Sequence, residues 1–218
     1  MWVKADTTGY CYGMQIYEGA KYNEQGIKIT TKELGKNVVL KMCEENLGQG
    51  HVIVCDNYYT SIKLAEELFQ NQTYLVGQIK INANGLDKTW ISNNKKELTN
   101  KGDWNWIMKR NLAIFVWNDT RVNVMLGTWP GILKNESFES TITRTQKKIK
   151  EQRKCPYVAN IYNKYMGGVD LFGAHIARCS TNIKSKKWWL AIFWHCLDTA
   201  VVNSWLNWKL YSGKELSL

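Results

Sequence analysis

Apolar residues in the first part of the chain recur with two spacings, one typical of strands and one typical of helices. Apolar clusters at positions 1–5 and 10–17, separated by a turn-forming Asp-Thr-Thr-Gly sequence, predict a β-hairpin. Apolar residues at helical spacing in 31–47 predict a helix, which either Thr30 or Thr31 would cap. The hairpin begins at the first residue, which suggests that the sheet has lost an earlier strand.

A strand, a helix and a second strand follow. The apolar run at 51–55 has the pattern of a strand buried on both faces in a parallel part of a sheet. Thr60 or Ser61 would cap the helix, and the apolar run at 74–79 would form the second strand. A unit of this length predicts a right-handed crossover between parallel strands, and therefore an α/β fold.

The second half of the chain is less regular. The segment 82–111 is rich in Asn, Lys and Gly and predicts an irregular, exposed stretch before two strands at 112–117 and 122–126. The polar and basic segment 131–154 shows little periodicity and predicts a mobile loop. The final third, about 168–210, predicts helices.

Hydropathy and cysteine spacing exclude several classes of protein. The apolar run Trp188–Leu210 contains His195, Asp198 and two asparagines, so it predicts a buried helix whose tryptophans belong to the core rather than a membrane span. The six cysteines are widely spaced and contain no CxxC pair, so they predict reduced core residues and no structural zinc site. No leader segment opens the sequence, which favours an intracellular protein.

Positive charge is concentrated in one stretch. The formal net charge of the chain is +10, and residues 144–187 hold eleven Lys or Arg against only Glu151 and Asp170, a net charge of +9. Such a block is typical of a surface that binds a polyanion, with nucleic acid favoured over membrane. A solvated basic surface without a partner is the alternative.

Two acidic residues occupy positions where metal-dependent chemistry could occur. Asp56 directly follows an apolar strand, and Asp170 follows two glycines at a predicted helix start. Asp56 could instead begin a turn, and Asp170 could simply stabilise the helix dipole. Carboxylates on two different elements, flanked by basic residues, are what a two-metal phosphoryl-transfer site requires.

Several motifs together resemble the piggyBac-type transposases, and the resemblance extends through essentially the whole chain. The two most specific segments are Cys55-Asp56-Asn57-Tyr58-Tyr59-Thr60-Ser61 and Asn163-Lys164-Tyr165-Met166-Gly167-Gly168-Val169-Asp170. In the same order as in that family, the chain also contains Trp2-Val3-Lys4-Ala5-Asp6, Thr8-Gly9-Tyr10, Tyr17-Glu18-Gly19 and Val76-Gly77-Gln78-Ile79-Lys80.

The resemblance implies an α/β fold with a ribonuclease-H-like core, in which a mixed sheet is flanked by helices. Residues 1–81 and 155–218 would form that core, and 82–154 would be a partly β insertion. Asp56 and Asp170 would be catalytic Mg²⁺ ligands for DNA cleavage and joining. The basic residues that would contact DNA phosphates are Lys164, Arg178, Lys184, Lys186 and Lys187.

The chain also departs from the family pattern. The family's first acid precedes the strand that begins at Trp2, and Asp6 matches a different family position and does not replace it. A further family acid is replaced by Gly173. The amino-terminal region and the cysteine-rich tail of the family have no counterpart here. We therefore expect an incomplete metal site with weakened Mg²⁺ affinity.

These observations leave three hypotheses for function. The first is a transposase core that acts in the nucleus, as a homodimer in the family, but is catalytically incomplete in this chain. The second is a DNA-binding module without catalysis, retained for its basic face. The third is a decayed transposon remnant, in which loss of a strand would expose a sheet edge.

Overall fold

The computed structural model of the chain describes residues 1–17, 19, 33–133, 139–146, 149–181, 183–184 and 186–213. The chain divides into two compact units. The smaller unit comprises Met1–Gly19 and Tyr165–Leu218, and the larger unit comprises Ala20–Lys164. The predicted α/β class is confirmed.

The described strands are β1 (Trp2–Ala5), β2 (Cys11–Gln15), β3 (Val52–Cys55), β4 (Tyr74–Ile79), β5 (Trp104–Lys109), β6 (Leu112–Asn118), β7 (Val122–Gly127), β8 (Glu139–Gln146) and β9 (Ile149–Pro156). The described helices are α1 (Leu34–Met42), α2 (Ile62–Gln70), α3 (Lys88–Glu97), α4 (Pro130–Leu133), α5 (Tyr157–Tyr165), α6 (Gly168–Cys179) and α7 (Trp188–Ser212), with a short 3₁₀ helix at Glu44–Asn46.

A mixed five-stranded sheet forms the centre of the larger unit. Its described strands are ordered β3-β4-β7-β6-β5; β3 and β4 are parallel, and the other neighbours are antiparallel. The predicted parallel pair is therefore confirmed. The prediction that β3 is buried on both faces is wrong, because β3 comes at one end of this order and three of its four residues are only half-buried.

Helix α2 connects the two parallel strands. The Ser61 hydroxyl caps the helix by accepting a hydrogen bond from the Leu64 N–H at 3.2 Å. Leu64, Ala65 and Leu68 are fully buried in the core on one face of the sheet. The predicted cap at Thr60 or Ser61 is confirmed at Ser61, while the predicted cap of α1 at Thr30 or Thr31 lies outside the described residues.

Strand β6 separates two hydrophobic clusters because its side chains alternate between the faces of the sheet. Leu112, Ile114 and Val116 belong to one cluster, and Ala113, Phe115 and Trp117 belong to the other. The predicted strands at 112–117 and 122–126 are confirmed as the β6–β7 hairpin. A strand buried on both faces explains why this part of the sequence is almost uniformly apolar.

The segment 82–111 is more ordered than the sequence predicts, since it contains α3 and β5. The Asp87 carboxylate caps α3 by accepting the Trp90 N–H at 2.9 Å. The buried Asn94 side chain accepts a hydrogen bond from the Asn105 side chain on β5 at 2.7 Å. The prediction of an irregular stretch is wrong because a cap and a long-range polar contact stabilise a helix with little apolar periodicity.

The prediction of a mobile loop at 131–154 is also wrong, because α4 and the antiparallel hairpin β8–β9 occupy most of the described residues of this segment. The Asp119 carboxylate forms ion pairs with two guanidinium groups. The N–O distance is 2.8 Å to Arg144 and 3.2 Å to Arg153. The side chains of Asp119 and Arg153 are each only 5% exposed. These ion pairs join the β6–β7 turn to the hairpin, and sequence periodicity cannot reveal them.

The expected insertion, 82–154, supplies strands to the same sheet as β3 and β4. Strand β7 pairs with β4 in antiparallel register, from Val76–Gly127 to Ile79–Val124. The compact units also have bounds that differ from those of the expected core and insertion. The division into 1–81, 82–154 and 155–218 stays a prediction.

The smaller unit contains the predicted β1–β2 hairpin together with α6 and α7. Its core consists of Cys11, Phe172, Ile176 and Val202. The Asn203 side chain accepts the Cys11 N–H at 2.9 Å and donates to the Cys11 carbonyl at 2.8 Å. One amide side chain thus satisfies both backbone groups at the start of β2.

Helix α7 forms where the apolar run predicts it, but its burial differs from the prediction. Trp188 is 77% exposed, Trp189 is 48% exposed, and Phe193, Leu197 and Val201 are also exposed. The prediction that the tryptophans of this helix all belong to the core is therefore wrong. Over the described residues, we find no helix that is both long enough and apolar enough to cross a lipid bilayer.

The six cysteines are all thiols. Four of them are buried, as predicted: Cys11, Cys43, Cys55 and Cys155. Cys179 is half-buried, and Cys196 is exposed on α7, so the prediction of a core position is wrong for Cys196.

Candidate functional site

Asp56 lies where the sequence predicts it, directly after β3 at the carboxyl end of a parallel strand pair. Its side chain is exposed. One carboxylate oxygen accepts the Asn57 N–H at 2.6 Å, and the Asp56 carbonyl accepts the N–H groups of Tyr59 and Thr60 at 3.1 Å each. Asp56 therefore begins a turn, as one of the two interpretations from the sequence expects, and its carboxylate is exposed to solvent; its role as a metal ligand stays a prediction.

Hydrogen bonds from the Thr60 side chain stabilise the turn that begins at Asp56. The buried Thr60 hydroxyl lies 2.9 Å from the Asp56 carbonyl and 3.2 Å from the Cys55 carbonyl. It occupies the space where Gly77 on β4 has no side chain, and a Cβ at Gly77 would lie well inside contact distance of the hydroxyl. The glycine thus permits a close approach of β4 to the turn.

Helix α1 restrains the same turn from another direction. A Cβ at Gly35 would lie 2.9 Å from the Tyr58 carbonyl oxygen and 3.3 Å from the Tyr59 Cα. Only a glycine lets the helix backbone approach this closely. Burial raises the pKa of the Cys55 thiol well above its usual range, so Cys55 supports the turn as a neutral side chain.

Asp170 lies in the first turn of α6, as predicted, and is exposed. A Cβ at Gly168 would lie 2.8 Å from the carbonyl carbon of Asp6, so this glycine allows the start of α6 to pack against the end of β1. The α6 backbone also approaches Gly9, whose φ of +85° favours glycine. The double glycine before Asp170 therefore has a packing role in the smaller unit.

The Asp6 carboxylate serves the hairpin turn. It accepts the Thr8 N–H at 2.8 Å, the Thr8 hydroxyl at 2.6 Å and the Tyr10 N–H at 3.1 Å. These contacts are typical of an Asx turn. They agree with the interpretation that Asp6 does not replace the family's first acid.

The predicted DNA-binding residues are all exposed. Lys164 lies near the end of α5 in the larger unit, and Arg178 lies in the last turn of α6 in the smaller unit. Lys184, Lys186 and Lys187 precede α7, and the Lys187 ammonium lies 5.8 Å from the centroid of the Trp189 ring. Four of the five predicted residues thus belong to the smaller unit, with Asp170.

The two carboxylates that the sequence predicts as metal ligands are divided between the two compact units. Asp56 belongs to the larger unit and Asp170 to the smaller one. In the described part of the chain, no three His, Cys, Asp or Glu side chains are grouped so that they could hold a metal ion. Gly173, which the resemblance aligns with a further family acid, has no side chain that could bind a metal.

Sequence reasoning missed the residues that fix and surround the Asp56 turn. Gly35 and Gly77 are invisible to hydrophobic periodicity because their role is to have no side chain. Lys80 ends the Val76–Lys80 motif, and its sequence alone indicates no role for it. Its ammonium lies 5.9 Å from the centroid of the Tyr58 ring. The expected parallel pairing of β3 and β4 could have placed Lys80 near Asp56, since the carboxyl ends of parallel strands share one edge of a sheet.

A family model described as Transposase IS4 matches residues 1–205, which include both acidic motifs. The chain belongs to this transposase family. It is 27% identical over 226 aligned positions to the human PiggyBac transposable element-derived protein 3, covering 99% of this chain and 36% of that protein. It is also 27% identical to the human chimeric ERCC6-PGBD3 protein, covering 99% of this chain and 20% of that protein.

The fold is also similar to a solved transposase structure. The TM-score is 0.70 to a chain from the cryo-EM structure of a piggyBac transposase synaptic complex with hairpin DNA. That match covers 97% of this chain and 41% of the other, at 19% sequence identity. The predicted resemblance to piggyBac-type transposases is confirmed, and the chain spans about a third of the length of the first of these relatives.

Proposed function

We propose that this transposase-family chain is a DNA-binding core that holds two carboxylates of the family's catalytic set but does not complete the cleavage site. The observation that carries the proposal is the exposed Asp56 at the carboxyl end of β3, within a family match that spans residues 1–205. The matched transposase is solved with hairpin DNA, which supports DNA as the class of partner.

The charge of the chain supports DNA binding on physical grounds. The predicted contact residues Arg178, Lys184, Lys186 and Lys187 are exposed, and few acidic residues lie near them in the sequence. Each cation that neutralises a phosphate releases counterions, so the binding constant falls as salt rises. A polyanion partner would account for this concentration of exposed positive charge.

A ribonuclease-H-like core is part of the same proposal. The parallel β3–β4 pair with its connecting helix supports this fold, and β3 comes at one end of the described strand order. A further strand parallel to β3 at that end would bring its own carboxyl-end residue beside Asp56. We propose that the family's first acid would enter the site in this way. Mg²⁺ would then need ligands beyond Asp56 and Asp170.

Binding to duplex DNA across a salt series tests the proposal. We expect the logarithm of the binding constant to fall linearly with the logarithm of salt concentration, by about 0.9 per neutralised phosphate. Neutralising Lys184, Lys186 and Lys187 to Gln should weaken binding and reduce the slope by at most about 2.7. Fluorescence anisotropy with a labelled oligonucleotide measures both quantities.

A second triple variant controls for the loss of net charge. Lys88, Lys95 and Lys96 on α3 are exposed, and changing all three to Gln removes the same charge from a different surface. We expect this variant to keep the wild-type slope to within about one phosphate contact. A flat salt dependence of the wild-type protein, or equal losses in the two triple variants, would remove the assignment of DNA binding to this surface.

Action on chromosomal DNA also requires access to the nucleus. We therefore propose a nuclear location, and that the chain acts as a homodimer, as in the family. Microscopy of the tagged chain tests the first proposal, and sedimentation with and without DNA tests the second. Exclusion from the nucleus, or a monomer on DNA, would contradict the corresponding proposal.

A further inference from the structure

An exposed aromatic side chain lies in the turn that begins at Asp56. Tyr58 follows Asp56 by two residues and is 49% exposed. The Lys80 ammonium lies over this ring at 5.9 Å from its centroid, a cation–π geometry. Lys80 directly follows β4 and is itself exposed, so both side chains lie at the same edge of the sheet as Asp56.

The backbone that carries Tyr58 is held in place. Its turn is closed by the hydrogen bonds of Tyr59 and Thr60 to the Asp56 carbonyl, and Gly35 brings α1 against the Tyr58 carbonyl. The Tyr59 ring contacts the Tyr58 ring edge-on, with 5.0 Å between centroids. A ring held this way loses little conformational freedom when a ligand stacks on it.

The chemistry of the pair matches one nucleotide of a DNA strand. An aromatic face stacks on a nucleobase regardless of its identity, and a lysine ammonium pairs with a phosphate. Tyr58 and Lys80 supply both groups within one cation–π pair. Asp56, two residues before Tyr58 in the same turn, is the acid that the proposed function places near a phosphate of the DNA.

We propose that Tyr58 and Lys80 form a nucleotide-binding platform, which stacks a base of the DNA on Tyr58 and holds its phosphate with Lys80. The platform rests on the proposed function, because it presupposes that DNA reaches the Asp56 edge of the sheet. The proposed function by itself gives only contacts between basic residues and phosphates, and the platform adds a contact to a base. The base would be one that is unpaired or flipped, since a paired base hides its faces in the duplex.

Anisotropy with a labelled hairpin oligonucleotide that carries unpaired flanking bases measures the contribution of each side chain. Tyr58→Ala should weaken binding about tenfold with an unchanged salt slope, since stacking releases no counterions. Lys80→Gln should weaken binding and reduce the salt slope by about 0.9. Tyr58→Phe should bind like the wild type, because phenylalanine keeps the stacking face.

Two further measurements separate the platform from general surface effects. Tyr211 is 86% exposed near the end of α7, and Tyr211→Ala should leave binding unchanged. An oligonucleotide with 2-aminopurine at an unpaired position should lose fluorescence when it binds the wild type or Tyr58→Phe, because the base stacks. The quenching should disappear with Tyr58→Ala.

The outcomes distinguish failure of the platform from failure of the proposed function. If the wild-type protein does not bind DNA, both are overturned. If the wild type binds but Tyr58→Ala and Lys80→Gln bind with wild-type affinity and slope, DNA binding stands and the platform is overturned. Circular dichroism of each variant checks its fold, and Lys80→Gln decides the proposal by its salt slope if Tyr58→Ala does not fold.

Discussion

A Cβ added at Gly77 tests whether close packing fixes the turn that carries Asp56. It would lie well inside contact distance of the Thr60 hydroxyl and 2.8 Å from the Cys55 carbonyl oxygen. Thr60 is buried and Cys55 is part of β3, so the clash cannot be relieved by rotating an exposed side chain. Gly77→Ala therefore requires the turn or the β3–β4 pair to move.

The expected cost follows from two opposing effects. Overpacking of a well-packed interior costs about 1 to 3 kcal/mol. Replacing a strand glycine by alanine recovers about 0.5 to 1 kcal/mol of backbone entropy. We expect Gly77→Ala to lower the free energy of unfolding by about 1 to 2 kcal/mol, and the melting temperature of a chain of this size by about 2 to 8 °C.

Thermal unfolding of a double-mutant cycle identifies the cause. Thr60→Ala removes the hydroxyl that clashes with the new Cβ, so Gly77→Ala should cost less in that background, with a coupling of about 1 kcal/mol. Gly173→Ala is the matched control, since a Cβ at this helical glycine meets no atom within 4 Å. Alanine there should stabilise by about 0.8 to 1 kcal/mol. Additive effects of the Gly77 and Thr60 changes, or a stabilising Gly77→Ala, would refute the reasoning.

The remaining predictions concern contacts elsewhere in the two units. Asn203→Ala should destabilise by about 1 to 3 kcal/mol in thermal unfolding, because both backbone groups of Cys11 lose their partner. Asp119→Asn should lower the melting temperature, because it leaves two arginines without their shared carboxylate. The Cys55 thiol is buried, and burial raises its pKa, so it should react slowly with iodoacetamide. At mildly alkaline pH, iodoacetamide should alkylate the exposed Cys196 first and Cys55 only on unfolding.

Each of these predictions has a matched control. Asn207→Ala changes an exposed asparagine on the same helix as Asn203 and should leave the melting temperature unchanged. Glu151 pairs with Arg153 but is 55% exposed, so Glu151→Gln should cost less than the Asp119 change. Equal effects of variant and control, or alkylation of Cys55 as fast as that of Cys196, would contradict the corresponding prediction.

Local sequence patterns are enough to predict elements that depend on an apolar run or on turn and cap residues. The strand at 74–79 has the bounds that its apolar run indicates, and the Asp6 turn and the Ser61 cap follow ordinary turn and cap chemistry. Asp56 could be placed at a strand end because polar residues after an apolar run mark the edge of a sheet.

The rest depended on contacts between residues far apart in the sequence. Helix α3 is polar, so periodicity does not reveal it, and the β8–β9 hairpin is joined to the sheet by the ion pairs of Asp119. The sequence predicts a buried α7, although one set of its apolar side chains is exposed, because composition gives the number of apolar residues but not which of them other elements cover. The role of Gly77 is defined only by the atoms around it.

The central claim is that the chain binds DNA without completing the family's cleavage chemistry. Incubation with a labelled DNA hairpin and Mg²⁺, with one sample run on a native gel and one on a denaturing gel, tests both parts together. We predict a salt-sensitive complex in which the strand stays intact, for the wild type and for Asp56→Asn alike. Absence of a complex, or strand cleavage that is lost in Asp56→Asn, would contradict the account.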